Sequence, residues 1–222
     1  MVSAAPTVGV LALQGGVAEH AAMLEGLGAR VVRVRRPAQL RGPDGPRLDA
    51  LVLPGGESSV IDRLLRRTGL AEPLGELIRG GTPTLGTCAG LILLAARLRD
   101  AAPGQRTLGG LDVTVRRNAL GRQLASCEAA FAVCGLGPVR GALIRAPEIV
   151  AVGPAARVVT RFDGRILGVT SAPVGPEAGA EPAVRAGRGG GAGSGLGTVT
   201  GIAFHPELSG DPTLHRALLA QC

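Results

Sequence analysis

Hydrophobic positions change period along this chain, and the changes mark its elements. Val8–Leu13 is a short continuous apolar run, as expected of a strand buried on both faces of a parallel sheet. Val17, Ala21, Leu24 and Leu27 then recur at helical spacing, and Gly28 stands where that helix should end. Ala29–Val34 reads as a second strand. Leu51–Leu53 reads as a third, stopped by Pro54-Gly55-Gly56. A helix from about Ser59 to Arg67 follows, with Ser58 or Ser59 as N-cap. Thr82–Thr87 is a fourth strand, and Gly90–Leu98 reads as an apolar helix directly after it. Repeated strand–helix–strand units predict an α/β fold, a three-layer, doubly wound, mostly parallel sheet of the flavodoxin-like kind.

From Leu108 the period shortens. Leu111–Val115, Phe131–Val133, Gly141–Ile144, Ala156–Arg161 and Ile166–Thr170 read as short strands between Gly or Pro turns, extending the sheet and flanking its site. Ser171–Gly197 is rich in Gly, Ala, Pro and Glu and too poor in large apolar residues to order itself. It reads as a flexible hairpin insertion, because Thr198–Phe204 resumes a strand. A G-x-G-x-x-A match at Gly187, Gly189 and Ala192 follows no strand and opens no helix, so it is composition and not a nucleotide site. The expected organisation is one domain over residues 1–222.

Charge and composition narrow the function classes. The chain has 222 residues, a formal charge of +7 and 45% hydrophobic residues, enough for a sizeable core. All 24 basic residues are arginine, because no lysine occurs. A Walker A phosphate loop and a Schiff-base site both need a lysine on the chain, so neither can operate. Trp and Tyr are absent and Phe occurs three times, which removes the stacking platforms of single-strand binders. The basic charge reads as a compositional habit, and nucleic acid is not an expected partner. No apolar run approaches the ~18 residues of a membrane helix, and Val8–Leu13 runs straight into a Gln14-Gly15-Gly16 turn instead of a cleavage site. The four cysteines, Cys88, Cys127, Cys134 and Cys222, form no C-x-x-C pair, and no zinc-ligand spacing appears with His20, His205 and His215. A reducing, cytoplasmic location with no metal and no cofactor is the expectation.

Three segments carry chemistry. Cys88 lies in Gly86-Thr87-Cys88-Ala89-Gly90, between a predicted strand and a predicted helix. A strand–turn–helix elbow holds a nucleophile out at the carboxyl edge of a parallel sheet, and a helix N-terminus favours the thiolate that attacks. A bare cysteine is more often a buried structural residue, and the elbow reverses that preference. Phe204-His205-Pro206-Glu207 closes a late strand, and residues two apart in extended backbone point to one side. Glu207 can therefore orient His205, giving nucleophile, base and orienter. Pro54-Gly55-Gly56-Glu57-Ser58-Ser59 follows the third strand; its glycine amides, together with that of Ala89, can donate to an oxyanion.

Cys88 in an elbow, a late His-Pro-Glu and a Pro-Gly-Gly loop together resemble a class I, triad-type glutamine amidotransferase. Leu13-Gln14-Gly15 with Glu19-His20, Leu53-Pro54-Gly55-Gly56-Glu57-Ser58, Gly86–Ala95, Arg117–Gln123, Ile144-Arg145-Ala146-Pro147 and Phe204–Leu208 narrow the likeness to glutaminase subunits of pyridoxal 5′-phosphate synthase. Departures are Cys127 where an aromatic is usual, Ala119-Leu120 in place of a more polar-aromatic pair, and the long 171–197 insertion. The resemblance implies hydrolysis of L-glutamine to glutamate and ammonia through a Cys88 thioester. It implies a glutamine site at Gly56, Glu57, Ser58, Arg117, Ile144 and Arg145. It also implies delivery of ammonia to a barrel-shaped synthase subunit within a large hetero-oligomer, and the missing lysine fits imine chemistry lying on that partner. Arg117 or Arg145 can pair the substrate α-carboxylate, or serve as a surface charge or structural ion pair; Ile144 would offer backbone. Gln14, Gly15, Gly55 and Gly56 are the segment through which a partner would switch the site on. Competing readings are the glutaminase of another amidotransferase and a stand-alone cysteine hydrolase.

Overall fold

The computed structural model describes residues 4–42, 45–46, 48–117, 126–172 and 196–222. In chain order the elements are β1 (Thr7–Leu11), α1 (Val17–Gly26), β2 (Arg30–Val34), the two-residue strands β3 (Arg41–Gly42) and β4 (Gly45–Pro46), and β5 (Ala50–Leu53). Next come α2 (Ser58–Arg67), α3 (Ala71–Arg79), β6 (Thr84–Thr87), α4 (Ala89–Leu94), β7 (Ala95–Arg99) and β8 (Leu111–Arg116). Then follow β9 (Ser126–Val133), β10 (Gly137–Ile144), β11 (Glu148–Val152), β12 (Ala156–Phe162), β13 (Arg165–Ser171), β14 (Val199–Ile202) and α5 (Thr213–Leu219).

The apolar runs become the centre of the sheet. β1 and β5 are buried at every position, because helices cover both faces of a parallel strand. The order β14-β6-β5-β1-β2 is parallel throughout. From β1 the chain winds outward to β2 on one side, then returns to fill β5, β6 and β14 on the other. Right-handed crossovers place α1 on one face and α2, α3 and α4 on the opposite face. The crevice between the carboxyl ends of β1 and β5 is therefore the switch point of the sheet, where ligands bind in folds of this type.

Beyond β14 the sheet turns antiparallel through β13, β12, β9 and β10, while β8 and β11 branch from β13 and carry β7 at their margin. One apolar cluster runs through both halves, from Val8 to Leu218.

Several expectations need correction. The helix expected over Gly90–Leu98 is α4 over Ala89–Leu94, and the chain then leaves as strand β7. All six residues of α4 are buried, so the run has no amphipathic stripe to fix its length. Past it Arg97 pairs with Asp112 at 2.8 Å across the β7–β8 ladder. The N-cap of α2 is Glu57, whose carboxylate accepts from Ser59 N at 3.2 Å, in place of Ser58 or Ser59. The strand expected at Phe131–Val133 begins at Ser126, that at Gly141–Ile144 begins at Gly137, and that at Thr198–Phe204 is Val199–Ile202. Most of the 171–197 insertion and of the 117–123 motif lies outside the described residues.

Candidate active site

Four chain segments meet at the carboxyl edge of the parallel sheet, around a cleft of about 380 Å³. The loop after β1 brings Gln14, Gly15 and Gly16; the loop after β5 brings Gly55, Gly56, Glu57 and Ser58. The end of β6 brings Cys88, and the segment after β14 brings His205 and Glu207. Arg117, Ile144 and Arg145 close the outer wall. Of the residues expected from sequence, all but Ala89 line the cleft; Ala89 is buried behind Cys88 as the first residue of α4.

The elbow is built by close packing. A Cβ on Gly90 would overlap the carbonyl oxygen of Leu53, and one on Gly86 would meet the Gly90 backbone. The glycines thus let α4 start hard against β5 and β6. Between them Cys88 is forced to φ 48° and ψ −98°, an uncommon conformation for a side-chain-bearing residue. Its N–H is tied to Ile202 O at 2.8 Å, which fixes the turn to β14. The residue is 8% exposed.

His205 is placed by the antiparallel half of the sheet. It exchanges two backbone hydrogen bonds with Ala142 of β10, N to O at 2.8 Å and O to N at 3.1 Å. The same strand delivers Ile144 and Arg145 two and three residues later. Glu207 Oε1 lies 2.7 Å from His205 Nδ1, so the carboxylate takes that N–H and leaves Nε2 to the thiol. Burial disfavours the charged imidazolium, but hydrogen bonds to Cys88 and Glu207 outweigh it and raise the His205 pKa well above the ordinary 6.5. Burial would raise the Glu207 pKa; donors on His20 and His205 hold it far below the usual carboxylate value. This electrostatic arrangement matches a thiol–imidazole pair steadied by an anion.

The two glycine-rich loops interlock. Gly16 N donates to Gly55 O at 3.1 Å, and Glu57 N donates to Gln14 Oε1 at 2.8 Å. Gly15 has φ 101°, and a Cβ there would overlap Gly55 O, so only glycine fits. Gly55 N is taken by Thr87 Oγ1 at 3.0 Å. Because the peptide is planar and trans, holding Gly55 O toward Gly16 turns Gly56 N–H the opposite way. Ala89, as the first helical residue, has no partner for its amide inside its helix, which makes it a candidate oxyanion donor.

Arg117 forms an ion pair with Glu57 at the wall of the cleft. Its guanidinium, 10% exposed, meets Glu57 Oε1 at 2.8 Å. Burial would raise the Glu57 pKa, but donors from Ser59 and the charges of Arg117 and Arg145 lower it. The outer wall thus offers two cations and one anion, the pattern that complements an α-amino acid. Ser58 is buried, and its Oγ accepts from Gln105 Nε2 at 3.1 Å.

Sequence reasoning assigned no role to Gly16, Ile92 and Leu208 of the lining, nor to the residues beneath it. His20, Thr87 and His215 are fully buried below the triad. The signal for His20 was present: it sits on the apolar stripe of α1 with Val17, Ala21 and Leu24. Burial depresses the His215 pKa to about 3, and a proton on neighbouring His20 would disfavour its charging further. Its unfolded-state value is near 6.5, so the unfolded chain binds the extra proton first as pH falls. Stability should therefore decline from about pH 6.5 toward pH 3, on the order of a few kcal/mol from this residue, and the depressed Glu207 should add to the loss below about 4.5. Denaturant titrations across that range test it. A His215→Leu variant that keeps the full slope between pH 6.5 and 4.5 would contradict the assignment.

Comparison with known proteins places this geometry. The model of the SNO glutamine amidotransferase family matches residues 10–174. A pyridoxal 5′-phosphate synthase subunit PdxT of Kineococcus radiotolerans is 50% identical over 220 residues, covering 97% of this chain and 94% of that one. The PdxT subunit of Cutibacterium acnes is 48% identical over 218 residues, covering 98% and 97%. A crystal structure of a glutamine amidotransferase superposes with a TM-score of 0.78 at 36% identity, covering 97% of this chain and 99% of that one.

Proposed function

Because the chain belongs to the SNO glutamine amidotransferase family, we propose that it is the glutaminase subunit of a pyridoxal 5′-phosphate synthase and that Cys88, His205 and Glu207 perform the hydrolysis. The observation that carries this reading is the meeting of the Cys88 elbow and the 2.7 Å His205–Glu207 pair at the carboxyl edge of the parallel sheet, beside the two interlocked glycine-rich loops. The chain acts as one domain, since a single apolar cluster joins its two halves. No helix among the described residues is long and apolar enough to cross a membrane. Four free cysteines suit a cytoplasmic setting.

In this mechanism glutamine enters with its α-carboxylate toward Arg117 and Arg145, its α-ammonium toward Glu57, and its amide toward Cys88. Backbone groups of Gly56, Ser58 and Ile144 hold the chain of the substrate between these ends. The Cys88 sulfur attacks the amide carbon, and the oxyanion is met by the amides of Gly56 and Ala89. His205 holds the thiol proton and returns it to the departing nitrogen, so ammonia leaves and a thioester remains. Water then attacks the thioester, giving up a proton to His205. The C–S bond breaks, the thiol regains its proton, and glutamate leaves. Glu207 keeps the imidazole oriented throughout.

The ammonia passes to a barrel-shaped synthase subunit in a hetero-oligomer, and that partner switches the site on. Ammonia made without an acceptor is lost, so coupling favours a site completed on docking. The Gly55–Gly56 peptide, held by Gly16 N and flanked by Gln14, is the plane that can turn at small steric cost. Ile144 and Leu208, 39% and 47% exposed at the mouth, give the partner apolar purchase. The test is ammonia release by the isolated chain against release by the mixed complex. We expect at least a tenfold rise on mixing, with aligning one oxyanion donor worth up to about 10²- to 10³-fold, and a blunted rise in Gln14→Ala. Equal rates would refute partner activation and favour a stand-alone cysteine hydrolase. A full rise in Gln14→Ala would remove that residue from the switch.

A further inference from the structure

Beneath the triad lies a buried polar cluster that the mechanism above leaves unused. His20 of α1 is fully buried and makes three polar approaches. Its Nδ1 is 2.8 Å from Nε2 of His215 on α5. Its Nε2 is 3.1 Å from Thr87 Oγ1 and 3.4 Å from Glu207 Oε1. Both oxygens are already in the site: Glu207 Oε1 is the atom that faces His205, and Thr87 Oγ1 is the atom that receives Gly55 N.

The proton positions follow from what burial tolerates. His215 Nδ1 is buried with no partner among the described residues. A buried lone pair without a donor costs less than a buried N–H without an acceptor, so His215 keeps its proton on Nε2 and donates it to His20 Nδ1. His20 must then carry its own proton on Nε2, aimed at Glu207 and Thr87. The depressed His215 pKa agrees, since the ring stays neutral.

We propose that His20 is a positioning residue for this glutaminase: one imidazole, its tautomer set by His215, holds both the triad carboxylate and the hydroxyl from which the oxyanion loop hangs. The proposal rests on the functional reading above and deepens it. Without His20, Glu207 loses a donor and Thr87 Oγ1 loses a fixed neighbour, so imidazole and Gly55 loop drift independently. The ionisable groups facing His20 are Glu207 and His215, with His205 behind the carboxylate and Asp211 beyond His215.

The experiment measures glutamine hydrolysis against pH in the complex with the synthase subunit. His20→Leu should lower kcat by about 10- to 100-fold, the scale of a small misplacement of reacting groups, with KM for glutamine within about threefold. Losing the donor to Glu207 should also move the acid limb of kcat/KM to higher pH. His20→Gln, whose amide nitrogen can reach the place of Nε2, should recover most of the rate and return the acid limb. A folded His20→Leu with unchanged kcat overturns the proposal. So does a His20→Gln as slow as His20→Leu with the acid limb unmoved, because that pattern belongs to packing alone. Should His20→Leu fail to fold, His215→Leu decides: it leaves His20 in place but frees its tautomer, so kcat should fall about 3- to 10-fold with the same shift of the limb. Wild-type rate and profile in that variant overturn the proposal. A wild-type complex that releases no ammonia overturns the glutaminase reading and this inference with it, whereas failure of the inference alone leaves the wild type active.

Discussion

Cys88→Ala abolishes ammonia release from glutamine, while Cys127→Ala, Cys134→Ala and Cys222→Ala retain it. The expectation rests on placement. Cys88 alone among the four thiols lies in the cleft, held beside His205 by the elbow and by the tie to Ile202 O. Cys127 is half-buried on β9, and Cys134 and Cys222 are exposed away from the site. Without a nucleophile no thioester forms, and the residual rate is set by the backbone donors and the binding groups, so a loss of at least about 10⁴-fold is expected. An electrophilic glutamine analogue gives the second reading: it should label Cys88 alone, and mass spectrometry locates the adduct. A stoichiometric adduct on any other cysteine, or turnover in Cys88→Ala, defeats the assignment.

His205→Asn lowers kcat by at least about 10⁴-fold, and Glu207→Gln by less, roughly 10²- to 10⁴-fold, with KM for glutamine little changed in both. The difference follows from geometry. His205 moves the proton in both half-reactions, and asparagine cannot carry it. Glu207 meets the His205 ring at Nδ1, at 2.7 Å, and not at the nitrogen facing the thiol, so its loss weakens orientation and the imidazolium but leaves the base in place. The backbone anchor of His205 to Ala142 persists in the Glu207 variant, which keeps the ring near its station. Steady-state kinetics on the complex decide the order. Near-normal turnover in His205→Asn, or Glu207→Gln slower than His205→Asn, would contradict the roles given to the pair.

The centre of the parallel half was legible because β1 and β5 are buried on both faces and read as short, nearly continuous apolar runs, as at Leu51–Leu53. The nucleophile was legible because the elbow needs glycine where α4 meets β5 and β6, and those glycines flank Cys88 in sequence. What escaped was whatever depends on contacts distant along the chain. The run from Gly90 to Leu98 is apolar enough for either helix or strand, and only the ladder with β8 tells where α4 stops. The pairing of Arg117 with Glu57 joins residues 60 positions apart, and from sequence alone Arg117 reads equally as a substrate contact, a surface charge or a structural ion-pair partner, with nothing to name Glu57 as its mate. His20 and His215 are separated by 195 positions, and nothing local in either announces the other.

The unusual backbone at Cys88 sets the interests of the fold against those of the reaction. At φ 48° and ψ −98° a side chain costs about 1–3 kcal/mol that glycine would not incur. Cys88→Gly should therefore melt higher than Cys88→Ala, with neither variant hydrolysing glutamine. Selection for expression alone would push this position toward glycine, and only selection for turnover keeps the sulfur. A descendant freed from its substrate should lose the nucleophile early, by a change that makes the protein sturdier, and keep its neighbouring glycines, which the packing of α4 would go on requiring.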